Sequence, residues 1–336
     1  MDENAADAAY GSAADRQTAR AALEALAGGD LSALAPDARA EAAHPWGVRE
    51  GPGVAALWTE LRAALPDLER RDAILLAGAN APDARWTAPR ASHLVACLGS
   101  YVGTFSAPLA GVPQTGGLVR LDYGEAYEIV DGRIARSWLL WDLAGLMMQT
   151  GAWPLGPPTG APGHWPAPRG GGGLRLAPSP EAGSLDRVLA MHAALHAFDG
   201  RDVAGIDMRH WAPDFCYWAG GFIGACRGVA GFRARHQKPF LDAFPDRKGA
   251  GHFVRLSDGP FAVTGGDVAM THTGAEYMGV PPTGRRLTFR VMDFYRFDDD
   301  GMIAENWLPN DTLGLLSEMG LDVLGRMTLL RTGARF

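Results

Sequence analysis

Cysteine is scarce in this chain: three in 336 residues, at positions 97, 216 and 226, with no Cys-x-x-Cys spacing and no even count. That excludes a disulfide scaffold and a cysteine-ligated zinc site. The thiols read as free side chains of a reducing compartment, so the cytoplasm is the expected location. Lysine is scarcer still, with only Lys238 and Lys248 among 31 basic residues, which reads as genomic base bias and not as function. Excess positive charge is missing too. The 38 acidic residues bring the net charge to −7, and no cluster of five basic residues exists to displace counterions from a duplex, so a nucleic-acid partner is not expected. No window of 18 uncharged apolar residues is long enough to span a bilayer. The segment Met1 to Arg20 is polar and acidic, without the apolar centre of a secretory leader. What remains is a globular composition, 47% apolar and 21% charged, with 44 Gly and 23 Pro and a length that fits two domains.

The chain is written twice. Ala-Pro-Asp at 35–37 returns at 212–214, and the helix-closing Pro66-Asp67 returns as Pro245-Asp246. Gly111-Val-Pro-Gln-Thr-Gly returns as Gly279-Val-Pro-Pro-Thr-Gly, and Asp131-Gly-Arg-Ile returns as Asp300-Gly-Met-Ile. Trp138, Asp142 and Gly151 return as Trp307, Asp311 and Gly320. The offsets run 177, 179, 168 and then 169 for the last four, in one chain order. The step from 179 to 168 means that the first copy carries about eleven extra residues between its Pro-Asp and its Gly-Val-Pro. The expected organisation is a first domain over 1–150, a Gly/Pro-rich linker over 151–183 and a second domain over 184–336. Trp153 and Trp165 in the linker are candidates to pin it to a domain surface.

Each copy opens with helical periodicity (Arg16 to Ala27; Leu185 to Phe198). A second helix follows the Ala-Pro-Asp turn (Gly53 to Leu65; Val229 to Phe244). The remainder alternates as strands, with Val268 to Tyr277, Leu287 to Phe297 and Ile303 to Leu308 in the second copy, and Asp-Gly as hairpin chemistry. Helices followed by a run of antiparallel strands imply an α+β fold in which a curved sheet cups over helices and encloses a hollow.

This order, with the Gly-Val-Pro-x-Thr-Gly, Asp-Gly-x-Ile and Trp-x-x-x-Asp stretches of both copies, resembles the SnoaL-like polyketide cyclase group of the NTF2-like superfamily. The likeness covers about 130 residues of each copy. It implies two tandem cystatin-like cones, no metal or organic cofactor, and pairing of the two copies through their sheets as an intramolecular pseudo-dimer, with a homo-oligomer also open. It further implies that the Asp of Trp-x-x-x-Asp acts as general acid/base, a role that maps onto Asp311 and Asp142. Some members face that Asp with a His on the preceding strand, and neither copy has one there.

Asp311 and Asp142 each follow a Trp by four residues. Each also begins a helix-like run, where Asp is favoured as an N-cap. A carboxylate in an apolar cup is pushed towards a neutral pKa and gains acid/base competence; as a cap it is structural. Asp293 and Glu125 occupy equivalent positions on the neighbouring strand, as a second carboxylate or as a partner of Arg290. His272, on one face with Glu276, and His252 are the available imidazoles. His192 and His196 have metal-ligand spacing but no third ligand in view, so no metal is expected. Trp307, Trp138, Trp218 and Tyr277 are candidates to line a pocket for a flat apolar substrate, with the core as the alternative.

The expected function is a cofactor-independent enzyme on a small apolar or aromatic molecule, working by aldol, retro-aldol, isomerase or lyase chemistry through an enol-like intermediate. A non-catalytic binding or assembly module is the alternative. An epoxide hydrolase is a further one, needing an Asp–Arg–Asp cluster that spacing alone does not assemble. The second copy, richer in ionisable groups, is the expected working one.

Overall fold

The computed structural model describes residues 10–179, 183–198 and 202–332. Residues 1–9, and residues 180–182 of the expected linker, lie outside the described residues. The first copy runs α1 (Ala13–Ala27), β1 (Leu34–Ala42), β2 (Gly47–Glu50), α2 (Pro52–Ala64), β3 (Glu69–Ala79), β4 (His93–Thr104), β5 (Leu118–Val130), β6 (Arg133–Trp141) and α3 (Leu143–Gln149). The second runs α4 (Ser184–Ala197), β7 (Trp211–Ala219), β8 (Gly224–Arg227), α5 (Gly228–Phe232), a π-helical turn (Arg233–Gln237), α6 (Lys238–Ala243), β9 (Lys248–Asp258), β10 (Phe261–Thr271), β11 (Arg286–Phe297), β12 (Ile303–Leu308), α7 (Thr312–Glu318) and α8 (Val323–Thr332). No helix among the described residues is long and apolar enough to cross a membrane.

The two sheets repeat one topology. Strand order is β2-β1-β6-β5-β4-β3 in the first and β8-β7-β12-β11-β10-β9 in the second. Antiparallel pairs make up each sheet except for β1 against β6 and β7 against β12, which run parallel. Apolar stripes on α1 and α2 (Leu23, Leu26, Leu57, Leu61) are buried in the first cone, as amphipathic spacing requires.

A second apolar cluster lies between the sheets, on their convex faces. Ile74, Leu76, Leu94 and Leu98 of the first copy meet Phe253, Leu256, Phe261 and Phe294 of the second. The two cones therefore sit back to back, as expected for a fused pseudo-dimer. Trp138 stacks on Phe253 at 5.5 Å across this layer, and Trp218 stacks on Trp307 at 5.1 Å. Ionic contacts close its margins: Arg290 bonds Glu41 at 2.8 Å, and buried Arg16 pairs with Asp258. The Gly/Pro-rich segment runs over the molecule with defined partners. Gly160 and Ala161 bond the 223–225 backbone, Trp165 enters the inter-sheet core, and the Pro166 carbonyl accepts from Trp307 Nε1 at 3.0 Å.

Two departures from the sequence reading concern the second copy. β10 ends at Thr271, short of Tyr277, because Asp246 takes both the Thr271 N–H and hydroxyl at 2.7 and 2.6 Å. His272 and Glu276 therefore do not share a strand face. The expected helix over 229–244 is interrupted by the π-helical turn, which absorbs the two residues by which the offset grows from 177 to 179.

Candidate active site

The first cone is filled by its own side chains. Arg70, almost fully buried, bonds Asp72, Glu125 and the Tyr101 hydroxyl, each at 2.8 Å, and lies 4.7 Å over the Tyr123 ring. Glu125 also accepts from Tyr101, Tyr127 and Trp141 Nε1, all at 2.7 Å. Four donors around one carboxylate satisfy it completely, and Trp58 and Trp141 complete the plug edge to face at 5.6 Å.

The second cone keeps two of these positions and empties the rest. The strand registers equate Glu125 with Asp293 and Tyr127 with Tyr295. The same registers replace Tyr101 by Val268, Tyr123 by Val291 and Trp141 by Asn310, while Arg70 becomes Gly249 and Asp72 becomes His252. The result is a cavity of about 540 Å³ with Asp293 in its wall. Asn306 donates to Asp293 at 3.1 Å and the Tyr295 hydroxyl donates to it as well, yet burial dominates and lifts the carboxyl from 3.8 to about 7. The Tyr295 hydroxyl lies 3.3 Å from His192 Nε2. His192 stacks face to face on His252 at 5.3 Å. Burial holds both imidazoles neutral: His192 falls well below its ordinary value and His252 falls to about 4. His236, on the π-helical turn, is likewise lowered by burial to about 3. His236 and Gln237 both line the cavity, while the His236 Nδ1 and Gln237 Oε1 atoms are buried without a hydrogen-bond partner among the described residues.

One part of the second site comes from the first copy. The β3–β4 connection, residues 80–92, is thirteen residues long where the β9–β10 connection has two. This arm crosses to the second cone. Asp83 accepts from the His252 N–H at 3.0 Å, contacts its Nδ1 at 2.9 Å, and pairs with Arg85 and Arg255 at 2.8 and 2.6 Å. Burial would raise the Asp83 carboxyl, but the bonds from Arg85 and His252 outweigh it and hold Asp83 well below the usual range. Gly251 makes the approach possible: its φ is +116°, and a Cβ there would lie 2.8 Å from the Trp86 nitrogen.

The SnoaL-like polyketide cyclase model matches the chain twice, over residues 17–150 and 188–319. The chain belongs to this family. Among solved structures, AclR from Streptomyces galilaeus is 27% identical, with 41% of this chain and 84% of that one covered and a TM-score of 0.35. IdmH from Streptomyces antibioticus is 24% identical over 40% and 98%, with a TM-score of 0.32. A SnoaL-like polyketide cyclase from Agrobacterium tumefaciens is 22% identical over 42% and 100%, with a TM-score of 0.33. No curated protein matches.

In this tandem SnoaL-like chain the two Trp-x-x-x-Asp carboxylates sit at the seam between copies. Asp311 caps α7 through the Gly314 N–H at 2.8 Å and takes the His44 N–H of the first copy at 3.0 Å. Asp142 caps α3 through Gly145 at 2.9 Å and takes the Gly221 N–H of the second copy at 3.0 Å. Both carboxyls are raised by burial, with these N–H bonds opposing. They line a crevice of only about 10 Å³. Of the other expected site residues, Asp293 and His252 both line the cavity. Arg290 bonds Asp267 and Glu41, leaving Asp293 free for the cone. His272 is fully buried and bonds the Ala275 carbonyl at 3.0 Å, with Phe244 beside it. Tyr277 packs on Phe240 and Phe244 behind the cavity wall. Trp307 and Trp218 belong to the inter-sheet layer, and Trp138 also borders a separate hollow of about 350 Å³ with Arg39 and Arg136. Glu125 is the centre of the first cone's plug. The carboxylates and imidazoles brought together in the cavity thus include Asp293, His192, His236 and His252, with Asp83 behind. Among the described residues no three His, Cys, Asp or Glu side chains converge as a metal-ligand set.

Proposed function

We propose that the second cone is a cofactor-independent acid/base site and that Asp293 carries the proton transfers, in the role expected of Asp311. The observation behind this reading is a carboxyl with a pKa of about 7 in the wall of a 540 Å³ cavity. Such a group is close to half ionised at neutral pH, where a general base and its conjugate acid work best. Asp293 takes a proton from the carbon next to a substrate carbonyl and becomes the neutral acid, leaving an enolate. The enolate then attacks a second carbonyl of the same molecule, in an aldol closure, or is reprotonated elsewhere, in an isomerisation. Asp293 returns the proton in either case, so the cycle closes without a co-reactant.

Tyr295, braced by His192, fixes the Asp293 carboxylate, and the His192–His252–Asp83 series fixes Tyr295 in turn. The apolar walls from Phe232, Phe240, Val268 and Val291 suit a flat apolar or aromatic molecule. Asp311 and Asp142 act structurally in this reading, as caps that also bind one copy to the other.

The test is α-carbon exchange in D2O. Aryl ketones and β-diketones are incubated with the protein, and deuterium uptake is followed by NMR. The wild-type chain exchanges at least one of them, and Asp293→Asn abolishes that exchange while Asp311→Asn retains it. Equal exchange by wild type and Asp293→Asn, or no exchange with any compound, refutes the assignment.

A further inference from the structure

Charge is distributed unevenly along the second cone. Its wall holds Asp293, Asp267, Thr264, the imidazoles of His192, His236 and His252 and apolar side chains, whereas the lining residues at its mouth are His196, Asp246, Arg247 and Lys248. His196 and Lys248 are exposed and Arg247 is half-buried. The nearby carboxylates are already committed. Asp246 is bonded to Thr271, Asp267 to Arg290, and Asp83 to Arg85 and Arg255. Among the described residues, neither Arg247 nor Lys248 has an acidic partner. Arg85 of the arm adds a further guanidinium beside them, 3.4 Å from the Gly249 carbonyl. The His196 imidazole feels this cluster, being lowered first by burial and then by Arg85, Lys248 and Arg247. Burying part of an arginine with no counter-charge is unfavourable unless an anion completes it.

From this we infer that the mouth of the second cone is an anion subsite, and that the substrate is an apolar or aromatic molecule with one carboxylate. The carboxylate pairs with Arg247 and Lys248, and the ring system runs inward past Phe232, Phe240 and Val268. The reacting carbon then reaches Asp293. This ordering matches the electrostatics at both ends: an anion at the depth of the cone would meet Asp293, whereas at the mouth it meets uncompensated cations. Arg247 and Lys248 are in this view specificity-determining residues. The inference rests on the second cone being the working cavity, but not on Asp293 performing the chemistry.

Two fluorescent probes that differ only in an acidic group test it: 8-anilinonaphthalene-1-sulfonate and neutral N-phenyl-1-naphthylamine, titrated against the full chain. The sulfonate is expected to bind at least about tenfold more tightly, corresponding to roughly 1.4 kcal/mol, and to lose that advantage as salt is raised. In the double variant Arg247→Gln/Lys248→Gln the two affinities converge while that of the neutral probe holds. Val268→Tyr, which restores the first copy's plug residue, removes binding of both probes. Asp293→Asn leaves the sulfonate preference intact, so loss of exchange in that variant is read separately. Equal affinities in the wild-type chain, a preference that survives the double variant, or sulfonate binding that survives Val268→Tyr would each overturn the inference.

Discussion

Replacing Asp293 by Asn should make the protein more stable in alkali than in acid, relative to wild type. The carboxyl has an ordinary pKa of 3.8 and a native one of about 7. Below pH 3.8 it is protonated whether the chain is folded or not, and nothing is lost. Between 3.8 and 7 the unfolded chain gives up the proton while the native state holds it, so native stability declines as pH rises. Above 7 both states are ionised and the loss is complete. Each pKa unit is worth about 1.4 kcal/mol, so the full penalty is roughly 4 kcal/mol by pH 8 and about 1.6 kcal/mol at pH 5. Asn keeps the shape and carries no such titration. Its amide puts an NH2 donor where the carboxylate had a second acceptor oxygen, a pH-independent cost of about 1 kcal/mol. Urea unfolding at the two pH values should therefore show the variant gaining about 3 kcal/mol on wild type between pH 5 and pH 8. Stability profiles that stay parallel from pH 5 to pH 8 would mean that the carboxyl is not held protonated by burial, and the acid/base reading would lose its basis.

Other consequences can be checked independently. Arg70→Ala leaves Glu125 and Asp72 buried beside an empty guanidinium site. It should cost about 3–5 kcal/mol in chemical denaturation, with probe binding in the second cone unchanged. Asp311→Ala and Asp142→Ala each remove a helix cap and an acceptor shared across the seam. Each should lower stability by about 1–3 kcal/mol without altering the pH dependence of α-carbon exchange. Asp83→Asn, although in the first copy, removes the bond that supports protonation of His252. NMR titration should find His252 below its wild-type value of about 4.

The duplication, the α+β class and the cone with its hollow are legible in the sequence because they rest on repeated short motifs and local periodicity. Pro66-Asp67 and Pro245-Asp246 stop equivalent helices, and Asp-Gly closes equivalent hairpins. The eleven-residue surplus of the first copy is legible too, since an offset falling from 179 to 168 can only be an insertion. The offset says nothing of the insertion's direction, so Asp83, Arg85 and Trp86 carry no signal of serving the other cone. His192 draws notice for a metal spacing with His196, whereas its neighbours in space are Tyr295 and His252. The strand to Tyr277 fails for a local reason of another kind: a side chain, Asp246, outcompetes the ladder for one N–H.

The candidate site depends on which face each strand turns inward and on what fills the space there, and both are tertiary facts. Asp311 and Asp293 are each plausible acids in one dimension. Only packing separates them, by enclosing one between helix N–H groups at the seam and leaving the other against an emptied cavity. The two copies diverge by the same logic. The amino-acid sequence determined that there are two related cones with a carboxylate at Glu125 and at Asp293. The fold decided that the first is sealed by Arg70, Tyr101 and Trp141 and the second is open. A carboxylate surrounded by four donors is satisfied, whereas one facing a hollow awaits a substrate.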